Sequence, residues 1–157
     1  MIEQGDLELL NDPVAQRLLN STELARLAYI GADGLPRLIP MLFHWTGTEI
    51  VLPTFANSAK LRSLRRNSAV AITIDSVGPP PEVLQLRGHA EISVETGLVD
   101  EYRLAHERYY GVEQAERNVA PLREAGASMG RIVLRPSWVG LIDFQTRVPR
   151  PMAEALG

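Results

Sequence analysis

The chain has 157 residues, 45% of them hydrophobic and 22% charged, with a net charge of -3 at pH 7 and no cysteine. This length suits one domain with one core, and the composition is that of a folded chain. A sequence pI near 5.6 gives nucleic-acid binding no electrostatic support, missing cysteines exclude disulfides and thiolate chemistry, and no apolar run approaches the roughly 20 residues that span a membrane.

The opening stretch MIEQGDLELLNDP lacks the charged and apolar regions of a signal peptide, so a cytoplasmic protein is expected. Asp12 and Pro13 suit the N-cap and first position of a helix over 12–20. Apolar segments 24–30 and 37–45 flank Asp33-Gly34, a hairpin signal, and Thr46-Gly47-Thr48 turns the chain into a third strand over 49–54. Connections this short require an antiparallel meander. A helix over 58–67 and a strand over 69–75 follow, then a rigid break at GPPP, 78–81. The alternation of EVLQLRGHAEISVE reads as one strand with a bend at Gly88. Helices are expected over 96–110, stopped by Gly111, and within 113–125; GRIVLRP and WVGLIDF are the last two strands. The tail, 146–157, reads as irregular. The expectation is one mainly β, α+β domain over 1–157, core about 20–145, with six or seven antiparallel strands in a closed or partly closed barrel and peripheral helices.

The segment LPTFANSAKLRSLRRNSAVAI, 52–72, concentrates four cations in an acidic chain. Ser58 suits an N-cap, and the first backbone N–H groups of a helix have no intrahelical acceptor, which makes such a terminus an anion site. A cation is unfavourable at the positive end of a helix, so Lys60 in the first turn makes sense beside a bound anion. On a helical projection Leu61 and Leu64 mark the buried face, Lys60 lies on its rim, and Arg62, Arg65 and Arg66 form a solvated face. The competing reading is a surface helix with a serine cap.

Four segments in this order resemble the flavin and deazaflavin oxidoreductases of the split β-barrel fold, within the pyridoxamine 5′-phosphate oxidase-like superfamily. LAYIGADGLPRLIPMLFHW resembles the family's first hairpin, TFANSAKLRSLRRNSAVAI its phosphate segment, LRGHAEI its R-G-x-A strand, and RIVLRPSWVGLIDF its last strand pair. The resemblance covers about 20–145. It implies an FMN-binding split barrel of six or seven strands. It implies that Thr54, Ser58, Ala59 and Lys60 hold the cofactor phosphate, that Pro40, Met41, Leu42 and Phe43 contact the ring and ribityl chain, and that Arg37 contributes more weakly. It implies a homodimer with the cofactor groove between subunits, Trp138 belonging to the partner's wall of the site. The R-x-V-L-L-K motif of the true pyridoxamine phosphate oxidases is absent, so their reaction is not expected. Arg62, Arg65 and Arg66 lean the expectation toward coenzyme F420, whose tail is anionic, with FMN as the other cofactor.

The activity implied is hydride transfer between that cofactor and a small organic acceptor, with the catalytic residue, if any, not identified. A carrier that binds the cofactor or a tetrapyrrole without turnover, and a scaffold without ligand, are the competing readings. His44 and His89 read as structural or surface groups, three scattered histidines offer no metal spacing, and Tyr102, Tyr109 and Tyr110 read as packing.

Overall fold

Alternating apolar residues build nine strands in this computed structural model, which describes residues 1–157. They are β1 (Ala25–Ile30), β2 (Pro36–Met41), β3 (His44–Trp45), β4 (Ile50–Phe55), β5 (Ala69–Ser76), β6 (Glu82–His89), β7 (Glu91–Glu95), β8 (Met129–Leu134) and β9 (Trp138–Ile142). Every pairing is antiparallel. One sheet has the order β2-β1-β5-β6-β9 and the other β3-β4-β8-β7. The helices are α1 (Pro13–Leu19), α2 (Ala59–Arg66), α3 (Asp100–Tyr110), α4 (Val112–Glu124) and α5 (Arg150–Leu156), and none is long and apolar enough to cross a membrane.

The inward-facing residues of both sheets meet in one core. Leu27, Ile72, Leu84, Leu86 and Leu141 from the larger sheet join Ile50, Leu52, Ile132 and Leu134 from the smaller. Leu9, Ala15, Leu18 and Leu19 add a 3-10 turn at Leu7–Asn11 and α1 to the same cluster. Each fully buried aliphatic side chain contributes about 1.5–3 kcal/mol, so the shared core accounts for the sheets standing face to face.

Two of the seven strands expected from the sequence break in two, which makes nine, and the sheets do not close into one ring. Segment 37–45 breaks at Leu42-Phe43: β2 stays in the larger sheet and β3 crosses to the smaller. Segment 82–95 breaks at Ala90, not at Gly88, and the Ala90 amide donates to the Ser68 carbonyl at 2.8 Å. Both breaks are invisible in the alternation because Phe43 and Ala90 stay buried while the chain crosses from one face of the core to the other.

Other departures are local. α3 begins at Asp100 rather than 96, after Gly97 adopts φ +87°. The tail expected to be irregular contains α5, with Pro151 in its first turn and an Arg150–Glu154 pair one turn apart. All its residues are exposed, so no apolar periodicity announced it.

Candidate anion-binding site at the start of α2

Three local features place α2. The Ser58 amide donates to the Phe55 carbonyl at 3.0 Å, closing a tight turn after β4. Ser58 has extended backbone, φ -68° and ψ 143°, as an N-cap residue should. Leu61 and Leu64 are fully buried and anchor the helix. Opposite Thr54 in the ladder stands Gly130, where a Cβ would lie 2.5 Å from Leu61 Cδ1. The missing side chain on β8 lets Leu61 sit against the sheet, and this sets Lys60 beside the end of β4.

The polar groups gathered there lack a counter-charge. Lys60 Nζ donates to Thr54 Oγ1 at 2.9 Å, and Thr54 is buried. No carboxylate lies within 4.0 Å of the ammonium. Burial pushes the Lys60 amine below the ordinary lysine range. Ser58 Oγ is buried and bonds to nothing, although an N-cap hydroxyl ordinarily accepts from an amide of the first turn. The positive end of α2 adds the amides of Ala59 and Lys60, which have no intrahelical acceptor, while the Leu61 amide donates to the Ser58 carbonyl at 3.2 Å. A half-buried cation, a free hydroxyl and a helix N-terminus together lack one anion. The chemistry this arrangement supports is the binding of an oxyanion such as a phosphate.

Arg62, Arg65 and Arg66 are exposed, and none forms an ion pair. Arg62 Nη1 donates to the Asn57 carbonyl at 3.2 Å, which braces the turn before Ser58. Ala59 is exposed at the first helical position. A cavity of about 300 Å³ adjoins the turn, lined by Phe55, Ala56, Asn57, Ala127 and Ser128. Ala127 and Ser128 went unnoticed in the sequence. They come from the loop after α4, and the Ser128 carbonyl receives the Ala56 amide at 3.0 Å.

The other expected residues lie elsewhere. α2 packs against β1, whose outer neighbour is β2. On β2, Pro40 is exposed and Met41 packs against the core, while Leu42 is half-buried in the crossover. Phe43 is fully buried, edge-on to Tyr109. Arg108, unremarked in the sequence, fixes this crossover. Its Nη2 donates to the Phe43 carbonyl at 2.5 Å, its Nε to the Ser21 carbonyl at 2.9 Å, and its guanidinium lies over both rings. Arg37 is engaged by its own hairpin, bonding Asp33 at 2.7 Å. Trp138 stands on β9, the opposite edge of the sheet from β2 and about 19 Å away at the usual strand spacing. Its indole carries Arg87 at 3.8 Å and covers Gly5 and Gly140. The chain therefore groups Thr54, Ser58, Ala59 and Lys60, and holds Trp138 away from β2.

The histidines stand apart from the cradle. Burial, then Arg108, lowers the pKa of His44, which pairs against Val51 on β3. His89 is exposed and meets the Ser68 hydroxyl at 3.0 Å. His106 is buried between Tyr102 and Tyr110, with Asn118 Nδ2 3.2 Å from its Nδ1.

Residues 12–140 match the family described as pyridoxamine 5′-phosphate oxidase. Among solved structures, an F420 reductase is similar at 24% identity, over 80% of this chain and 94% of that one, with a TM-score of 0.61. A conserved hypothetical protein from Mycobacterium tuberculosis is similar at 25% identity, over 92% and 88%, with a TM-score of 0.63. A protein from Clostridium acetobutylicum, related to general stress protein 26 and of the pyridoxinephosphate oxidase family, is similar at 17% identity, over 91% and 94%, with a TM-score of 0.60. No curated protein matches the chain.

Proposed function

The chain belongs to the pyridoxamine 5′-phosphate oxidase family, and from that premise we infer that it is a flavin- or deazaflavin-binding oxidoreductase. The observation that carries this reading is the unpaired Lys60 ammonium beside the partnerless Ser58 hydroxyl at the start of α2. The donor set fits a phosphate: Lys60, Ser58 and Thr54 hold it, with the amides of Ala59 and Lys60. FMN and coenzyme F420 both carry a phosphate that this cradle accepts, and the three exposed arginines favour F420. The F420 reductase among the similar structures supports the same choice.

When bound, either cofactor supplies hydride transfer with a small organic acceptor. The chain's own residues do the rest. Lys60 neutralises phosphate charge, while Thr54 holds the ammonium in place and keeps its own hydroxyl proton free to donate. Pro40, Met41 and Leu42 offer an apolar edge for the ring, and Arg108 holds the crossover that presents it. Arg37, paired with Asp33 in its own hairpin, contributes least. The working unit is a cytoplasmic homodimer, whose second copy brings Trp138 to the groove that one protomer leaves open.

Titration of the protein with FMN and with coenzyme F420, followed by fluorescence, tests the reading. Binding of one of them, weakened about 10- to 100-fold in Lys60→Ala, is expected. Equal affinity in the variant, or no binding of either, would overturn the assignment. Oxidation of the bound, reduced cofactor by a panel of quinones, enones and bilins then separates an enzyme from a carrier.

A further inference from the structure

Lys60 is the single lysine of the chain; every other Lys/Arg side chain, fifteen of them, is an arginine. A guanidinium stays protonated and is a poor nucleophile, whereas an amine with a free lone pair is a good one. The cradle thus sets the chain's one side-chain amine beside groups that bind phosphate. An acyl phosphate carries its electrophilic carbonyl carbon on an oxygen of the phosphoryl group itself. Held by Ser58 Oγ and the amides of Ala59 and Lys60, such a phosphoryl group would share the cradle with Lys60 Nζ, which Thr54 Oγ1 holds at 2.9 Å.

We propose that Lys60 is a modification site, acylated by acyl phosphates that dock in the cradle, and that acylation closes the cradle to anionic cofactors. The inference rests on the phosphate reading of the site. The ammonium first gives a proton to solvent. The freed lone pair forms a C–N bond to the carbonyl carbon. The tetrahedral adduct collapses, the C–O bond to the phosphoryl group breaks, and inorganic phosphate leaves with that electron pair. The remaining extra proton on nitrogen passes to the departing phosphate or to water. The product is a neutral amide, and no oxidant or reductant is consumed.

Two features of the site favour the step. No carboxylate holds Lys60 in its charged form, and the Thr54 hydroxyl that accepts from the ammonium is able to donate to the neutral amine by rotating. Acylation then removes the only ammonium of the cradle.

The experiment incubates the full chain with acetyl phosphate and measures the Lys60 peptide by mass spectrometry, with N-acetyl-lysine amide in the same tube as reference. Lys60 is expected to acylate about tenfold faster than the reference, to be protected by millimolar inorganic phosphate, and to slow in Ser58→Ala. The phosphate-free donor acetyl N-hydroxysuccinimide ester is expected to show no phosphate protection. Acylated protein is expected to lose cofactor affinity as far as Lys60→Ala does, while Lys60→Arg stays unmodified and keeps its charge. A rate equal to the reference, or the same enhancement with the phosphate-free donor, would overturn the proposal. If FMN or F420 binds through Lys60 while acylation matches the reference, this inference alone fails. If neither cofactor binds and phosphate does not protect, the phosphate reading fails with it.

Discussion

Two polar corners of this molecule are built on opposite plans. At the end of β9 the buried Asp143 carboxylate accepts from the amides of Gln145, Thr146 and Arg147 at 2.8–2.9 Å and from the Thr146 hydroxyl at 2.6 Å. Arg147 in turn bonds Asp12 at 2.9 Å, the residue that caps α1, and its buried Nε lacks a partner. At the start of α2 the cation has no counter-charge and the capping hydroxyl has no donor. The first corner is closed within the chain and stabilises the fold. The second costs stability, because unpaired buried charge and unbonded hydroxyls are expensive, and on the proposed function an anion would satisfy them.

The largest expected effect lies in the closed corner. Burial alone would raise the pKa of Asp143, but the bonds from Thr146, Arg147 and Gln145 outweigh it and hold the carboxyl at about 2. Phe144 beside it has φ +57°, a conformation a bulky residue keeps only when its surroundings enforce it. Asp143→Ala should lower unfolding free energy by about 2–3 kcal/mol in a urea titration, and leave cofactor affinity unchanged. The folded-state pKa lies below the ordinary value, so the wild-type contribution is complete above about pH 4 and is lost as pH falls from about 4 toward 2. An acid titration in which wild type and variant lose stability in parallel would remove the distinction between the corners.

Lys60 should behave in the reverse way. Its replacement by Met is expected to weaken FMN or F420 binding by about 1–3 kcal/mol, yet to leave the ligand-free protein as stable as wild type or more so. The amine's folded-state pKa is depressed by burial, so the folded state favours the neutral form. Its contribution to stability therefore grows as pH rises through that value toward the ordinary lysine pKa, and is lost as pH falls back through it. Urea titrations of wild type and Lys60→Met at neutral and alkaline pH should converge at the alkaline end. A ligand-free Lys60→Met protein that is clearly destabilised would make Lys60 a structural residue.

Both corners differ in how far the sequence reveals them. The start of α2 was legible because local geometry sets it: Ser58 stands at the cap position and Lys60 in the first helical turn, whereas Thr54 joined them only through the resemblance. Leu61 and Leu64 fell on the buried face for the same reason. Most elements were readable from alternation and turn residues as well. What escaped depends on contacts distant in sequence. The crossovers at Phe43 and Ala90 preserve alternation while changing sheets, and Arg108 reaches Phe43 across 65 positions. The Asp143 turn shows no periodicity, since its order comes from one carboxylate gathering three successive amides. Trp138 was assigned to the site by resemblance, and in one protomer it stands at the far edge of the sheet, against Gly5.

Ser58→Ala offers a smaller and cleaner contrast. Removing an N-cap hydroxyl usually costs a protein about 1 kcal/mol of stability, because a helix amide loses its acceptor. Ser58 Oγ accepts from no amide, so that cost should be absent here. The loss should appear instead in phosphate affinity, at about 1 kcal/mol. Measuring thermal unfolding with and without saturating cofactor separates the two. A Tm drop without ligand would show the serine to be an ordinary cap.

The smallest effects belong to Arg62, Arg65 and Arg66, and they decide between the two cofactors. All three are exposed and unpaired, so their field is screened by salt and each adds only a few tenths of a kcal/mol to any anion nearby. FMN would bring no charge beyond its phosphate, whereas the anionic tail of F420 would add charge that this face could meet. Replacing all three with Gln should therefore leave FMN affinity unchanged and weaken F420 binding about two- to fivefold at low ionic strength, with the difference vanishing near ~0.5 M salt. Equal weakening of both cofactors would mean that the arginines act on the phosphate itself, and the boundary between the helix face and the cradle would have to be redrawn to include Arg62, which already touches the Asn57 carbonyl.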